Sequence, residues 1–217
     1  MATEPRTRLA REDRMEQTLV AAHGLFAERG YAAVKMDEIA ASVGVTKPLL
    51  YNYFGNKEQL YISCMERAGD SLTAAVAEAV GASAAPREAL RDGVRAFFSF
   101  LDNDRAAWAV LFDETLPRGG EVADRVAEYR GRILELVAGA TLAQLPQERR
   151  EAVRVETEAL SVALLGAAEA LARWWLRTEA LSAEEAADLL IATVEPGLRG
   201  RAASPTSPSP DQGNDKS

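Results

Sequence analysis

An all-α fold is predicted for this 217-residue chain by three observations. Ala, Leu, Glu and Arg dominate the interior of the sequence, apolar residues recur at intervals of three and four, and no run of strict alternation is long enough for a strand. Gly, Pro and capping residues divide the chain into about nine helices.

The first helix follows Pro5 and runs to Arg29, because Met15, Leu19, Ala22 and Phe26 share one face, and Gly30 ends it. A short second helix after Lys35 buries Ile39, Ala40 and Val43, and Gly44 supplies a permissive turn. Thr46 is placed to cap the third helix, with Pro48 in its first turn, where a missing N–H costs nothing, and Gly55 stops it. Asn56 with Gln59 resembles a capping box for a fourth helix that carries Leu60, Cys64, Leu72 and Val76 to about residue 80. Pro86 opens the fifth, with Leu90, Val94, Phe97 and Leu101 on one face and Arg87, Arg91 and Arg95 on another, read as a solvated row. The sixth holds Trp108, Val110, Leu111 and Phe112, and the seventh, beyond Gly119 and Gly120, holds Val122, Val126, Tyr129 and Ile133. Pro146 introduces the eighth and longest. Its stripe Val153, Thr157, Leu160, Leu164, Ala167, Leu171 and Trp174 is joined by Val155, Val162, Leu165, Ala172 and Leu176 on other faces, so burial on more than one side is required. Ser182 and Glu185 form a capping box for the ninth, which carries Ala186, Leu190, Ile191 and Val194. From Arg201 onward, Pro205, Pro208 and Pro210 stand among serines without large apolar side chains, so a disordered tail over 201–217 is expected, with a flexible arm over 1–10.

Composition narrows the function. With 25 basic and 33 acidic side chains the net charge is −8, so any nucleic-acid contact must be local. One cysteine, Cys64, forbids an intramolecular disulfide, and one histidine, His23, leaves too few ligands for a conventional zinc site. His23 and Cys64 are read as packed side chains; no nucleophile with a base and no phosphate-binding glycine loop argues for an enzyme, a metal or a cofactor. The N-terminus lacks an apolar signal core and the stretch 159–168 is too short to span a bilayer, which points to a cytoplasmic protein with no membrane partner.

The second and third helices have the dimensions of a helix-turn-helix. Of four lysines, Lys35, Lys47 and Lys57 sit at the starts of the second, third and fourth helices. A cation there opposes the helix dipole, and a bound phosphate would reverse the sign. Leu50 and Phe54 suit the buried face of the third helix; Thr46, Lys47, Pro48, Leu49 and Asn52 form its front, and Tyr51 and Tyr53 are placed to offer hydroxyls to phosphate.

Residues 26–60, FAERGYAAVKMDEIAASVGVTKPLLYNYFGNKEQL, carry F-x-x-x-G-Y, I-A-x-x-x-G-V and L-Y-x-[HY]-F-x-x-K-E-x-L in order. This run resembles the DNA-binding domain of TetR-type transcriptional regulators. The resemblance implies that Thr46 to Tyr53 form the recognition helix and its cap, with Tyr51, Tyr53 and Lys57 on phosphate. Where many such proteins have Ser or Thr at the start of the second helix this chain has Lys35-Met36, and Lys35 stands in for the hydroxyl. It also implies a DNA-reading domain over 11–56 and a helical ligand-binding and dimerisation domain over 57–200. The whole would be a homodimeric regulator, usually a repressor, that binds a palindromic operator and is released by a small-molecule effector. The alternatives are a helical adaptor or an all-helical enzyme with a vestigial DNA-binding motif. Leu160, Leu164, Leu171, Trp174, Leu190 and Val194 are the expected dimer contacts, because their apolar stripe needs a partner. Met65, Trp108, Phe112, Tyr129 and Glu169 are candidate ligand contacts; Glu169, a carboxylate on an apolar stretch, needs a partner, and Arg173 one turn on is the nearest in sequence.

Overall fold

The computed structural model describes residues 4–112, 116, 119–143 and 147–203. Among them are nine helices and no strand: α1 (Glu4–Ala33), α2 (Met36–Ser42), α3 (Lys47–Phe54), α4 (Lys57–Ala82), α5 (Pro86–Asn103), α6 (Arg105–Leu111), α7 (Glu121–Leu142), α8 (Gln147–Thr178) and α9 (Ala183–Ala203).

Local chemistry sets most of the boundaries. Gly30, at φ 74° and ψ 161°, breaks α1 where the sequence predicts its end, and one further turn follows it. Gly55, at φ 78°, stops α3. Asn56 Oδ1 accepts the Gln59 N–H at 2.8 Å to cap α4, and Asp104 Oδ1 accepts the Ala107 N–H at 3.0 Å to start α6. Ser182 and Glu185 cap α9 reciprocally: the Ser182 N–H reaches Glu185 Oε2 at 2.7 Å and the Glu185 N–H reaches Ser182 Oγ at 3.2 Å. The Ser182 N–H, together with the Ser182 hydroxyl that also donates to Glu185 Oε2 at 2.9 Å, holds the Glu185 carboxyl below its usual range.

Some boundaries differ from expectation. Thr46 sits at the N-cap of α3, but its side chain makes no capping bond. Phe112 lies just past α6 as its C-cap. The N-terminal arm is helical from Glu4 and α9 runs to Ala203, so helix replaces the flexible segments expected at 4–10 and 201–203; the rest of the expected tail lies outside the described residues, as does Pro146.

Two cores are joined by α4. The first gathers Phe26, Ile39, Leu50, Phe54, Leu60 and Tyr61, with Val110 and Val122 reaching in from α6 and α7. Phe26 and Tyr61 meet edge to face at 4.9 Å, and the Tyr61 hydroxyl donates to the Val110 carbonyl at 2.6 Å, which pins α4 to α6. The second core gathers Leu72, Phe98, Leu101, Leu164, Trp175 and Leu190, among others, from α4, α5, α8 and α9. Because the first half of α4 belongs to one core and its second half to the other, neither moves without it.

The outer helices correct two readings. Leu164 and Leu190 are buried in the second core and so serve the chain's own interior, while Leu171 and Val194 pack against it half-buried. The face of α8 left outward carries Val155 at 70 %, Val162 at 57 % and Trp174 at 40 % exposure, and α9 adds Leu189 at 51 %. Leu160 is half-buried between the two faces. The arginine row on α5 is not simply solvated: Arg91 pairs with Glu195 at 3.1 Å and Arg95 with Asp188 at 2.8 Å, tying α5 to α9.

Candidate functional site

Two neighbouring places could carry function, a helix front at the N-terminal end and a cavity behind it. The front is α3. Leu50 is fully buried and Phe54 nearly so, which turns Thr46, Lys47, Pro48, Tyr51 and Asn52 to solvent, with Leu49 at the margin. The helix is short because Gly55 follows it, and it is braced by α2 through Ile39 and Ala40. An exposed helix with one buried edge, held by two others, has the shape that enters a DNA major groove.

The lysines fall where the sequence places them: Lys35 at the N-cap of α2, Lys47 as the first residue of α3 and Lys57 as the first of α4. The side chains of Lys47 and Lys57 have a local partner or contact that softens their conflict with the helix dipole, whereas Lys35 contributes its backbone to the cap. The Lys35 N–H donates to Glu38 Oε2 at 2.8 Å, and Glu38 pairs with Arg29 at 2.9 Å, the pairing that chiefly holds its carboxyl below the usual range. Lys47 Nζ lies 3.0 Å from Asp37 Oδ2, a bond that raises its pKa. Lys57 turns inward: its Nζ lies 4.4 Å from the centre of the Tyr31 ring and donates to the Ala32 carbonyl at 3.4 Å, and desolvation lowers its pKa. Tyr51 is exposed, whereas Tyr53 is half-buried, with the Arg11 guanidinium 5.4 Å from its ring centre. Arg11 and Asp37 carry no motif of their own and were invisible as members of this surface.

Behind the head, between α4, α5, α7 and α8, lie two small adjoining cavities, the two lobes of one region. One, of about 30 Å³, is bounded by Thr73, Phe112, Tyr129, Arg130 and Glu169 among others. The other, of about 40 Å³, is lined by apolar residues alone. Three of the candidate ligand contacts, Phe112, Tyr129 and Glu169, therefore meet at one cavity. Two do not: Met65 is fully buried in the first core, and Trp108 lies behind Phe112, stacked on it at 4.1 Å. Glu169 finds its partner on α7 rather than one turn along α8. Arg130 Nε donates to Glu169 Oε1 at 2.9 Å and its Nη2 pairs with Oε2. The signal for Arg130 was present, a charge four residues after Val126 on the apolar face of α7, but its partner is remote in sequence.

Tyr129 joins the cavity to α4. Its hydroxyl lies 3.2 Å from both the Glu66 carbonyl oxygen and Asp70 Oδ1, and burial first, then Asp70, pushes its pKa up to about 12, so the phenol stays protonated. Its ring rests on Gly69, where a Cβ would come within 2.6 Å of it. His23 and Cys64 take no part. His23 Nε2 is buried without a hydrogen-bond partner, 4.0 Å from Asp104, and desolvation lowers its pKa. Cys64 is buried, with Sγ 3.7 Å from the Leu19 carbonyl, and burial pushes its thiol up to about 12. Among the described residues no group of three or more His, Cys, Asp or Glu is placed to hold a metal ion.

Comparison with known proteins agrees with this architecture. Residues 19–64 match the family described as bacterial regulatory proteins, tetR family, and residues 86–195 match the tetracyclin repressor-like C-terminal domain. The HTH-type transcriptional activator FasR of Mycolicibacterium smegmatis is 39 % identical over 119 residues, 55 % of this chain and 54 % of that protein. The chain thus spans about half the length of the curated relatives it matches. Among solved structures, a TetR-like regulator from Rhodococcus sp. RHA1 is 33 % identical, covers 86 % of this chain and 96 % of its own, and superposes with a TM-score of 0.71. AibR, solved in complex with isovaleryl coenzyme A and operator DNA, is 26 % identical, covers 83 % of this chain and 97 % of its own, with a TM-score of 0.67. Matches to both the helix-turn-helix segment and the helical remainder, on a nine-helix frame, place this chain in the TetR family of bacterial regulatory proteins.

Proposed function

We propose that the chain is a homodimeric, effector-controlled transcriptional regulator, a repressor in its resting state, that acts on DNA in the cytoplasm and has no catalytic role. The observation that carries this reading is the front of α3, where Lys47, Tyr51 and Asn52 face outward from a helix anchored by Leu50 and Phe54. Lys35, Thr46, Lys47, Tyr51, Tyr53 and Lys57 are assigned to the phosphate backbone; Pro48, Leu49 and Asn52 face the base edges. Lys57 leaves the Tyr31 ring to do so, a short move for a flexible side chain. The reading head comprises 11–56 with α1 extending before it, and 57–200 forms the effector and dimer region.

Dimerisation is assigned to the outward apolar face of α8 and α9, with Val155, Val162, Trp174 and Leu189 in place of the buried leucines. A contiguous apolar face on two adjacent long helices is the kind of surface that a second copy covers in a four-helix bundle. Two heads related by a two-fold axis then read a palindromic operator. The effector is an acyl thioester, a class supported by the dry lobe of the cavity and by the isovaleryl coenzyme A held by AibR. Its binding parts the helices around α4, which starts beside α3, and so changes the spacing of the heads. Footprinting on the DNA upstream of the protein's own coding sequence, with and without acyl-CoA, tests the reading. Protection of an inverted repeat that acyl-CoA abolishes is the expected result. Absence of binding to any duplex at low salt would leave the helical adaptor as the better description.

A further inference from the structure

The two lobes of the cavity differ in chemistry and adjoin. Phe97, Ile133 and Leu165 line both. Along α4 the lining runs from Gly69 to Val80, roughly 16 Å at the rise of a helix. Polar side chains border only the lobe at the Gly69 end, which Arg130 and Glu169 close; Arg130 is 46 % exposed and Glu169 12 %. The two lobes thus lie next to each other along α4, one bordered by charged side chains and the other dry.

Building on the acyl reading above, we infer that a single chain-bearing molecule occupies both lobes end-on, with its carbonyl head at Arg130 and its methyl end between Ala89 and Val137, so that the dry lobe measures chain length. A polar head in the dry lobe would lose its hydration and meet no side-chain donor or acceptor, which fixes the direction of binding. At the other end, a guanidinium has five N–H donors in a planar fork. Arg130 keeps a bond to Glu169 while offering another to the thioester carbonyl, so the inward carboxylate is never left unpaired. The phosphate-bearing remainder of the ligand then extends outward past the half-exposed Arg130.

The dry lobe is small, about 40 Å³, with room for only a few water-sized guests. A chain enters by spreading the walls, and each added methylene gains from burial only until the lobe is full. Affinity rises with chain length to a maximum and falls beyond it. Ala89 on α5 and Val137 on α7 both line this space, and enlarging either one shortens the best chain.

The test is calorimetric titration of the full chain with straight-chain acyl-CoA thioesters from butanoyl to stearoyl. Val137→Phe and Ala89→Val are expected to move the optimum to shorter chains, with a loss of affinity that grows with chain length. Arg130→Gln is expected to weaken every member together, about tenfold or more, without moving the optimum. Thermal melting verifies that each variant folds, and the two far-lobe variants, on different helices, make the test independent of one failure. Uniform loss across all lengths in the far-lobe variants, or a shifted optimum in Arg130→Gln, overturns the orientation while leaving the acyl reading in place. A wild type that binds no member of the series overturns the acyl reading itself, and the orientation with it.

Discussion

Lys57 has one place in the fold and, in the proposed reading, a second on DNA. Seated 4.4 Å from the Tyr31 ring, it closes the seam between α1 and α4, yet its position at the start of α4 lets it turn to a phosphate. Lys57→Ala should weaken binding to all duplexes alike and lower the slope of log affinity against log salt by about one, whereas Asn52→Ala should change which operator is preferred. Gel-shift titrations at several salt concentrations separate these outcomes. His23 makes a different prediction, because desolvation lowers its pKa from an ordinary value near 6.5. The unfolded chain then binds a proton that the folded chain refuses, so stability falls as pH drops from about 7 through the lowered folded value and levels off below it. His23→Gln should flatten that decline in melts between pH 7 and 5. Cys64, its thiol pushed up to about 12 by burial, should resist alkylation in the native protein and react only once it unfolds.

At the scale of elements, α8 marks the boundary of what the sequence makes legible. The starts of α4 and α9 were readable because Asn56, Ser182 and Glu185 act on backbone groups three residues away, and the breaks at Gly30 and Gly55 because the signal is the residue itself. The facing of α8 was not readable: Val162 and Leu164 are equally apolar and two residues apart, yet one is exposed and the other buried. Hydrophobicity reports that burial is needed without saying whether the chain or a second copy supplies it. The partner of Glu169 was hidden for a similar reason, since Arg130 is 39 residues away and only the packing of α7 on α8 brings them together. A pair of substitutions tests the corrected facing. Val162→Arg should yield folded monomers in sedimentation with a melting temperature near that of the parent, whereas Leu164→Arg buries an unpaired charge and should unfold the chain.

At the scale of the molecule, α4 belongs to both cores and to the cavity wall, and Gly69 is where its backbone meets the Tyr129 ring. A methyl group there would lie 2.6 Å from that ring, so Gly69→Ala should force the ring aside at a cost of about 1–3 kcal/mol. Its operator affinity without effector should fall toward that of the effector-bound parent, as a gel shift would report, and Tyr129→Leu in the same chain should restore part of it. Mechanically, α4 is a stiff rod with its fulcrum at mid-length. From Gly69 to Lys57 is roughly 18 Å at helical rise. A tilt of about five degrees at the glycine swings the lysine by roughly 1.5 Å, more than the tolerance of a hydrogen bond to phosphate. In a two-fold pair both rods swing, which doubles the misfit. In the proposed regulator a displacement no larger than the thickness of one methylene would thereby travel undiminished to the reading head and cost it the docking register, so that even so small a cavity would suffice.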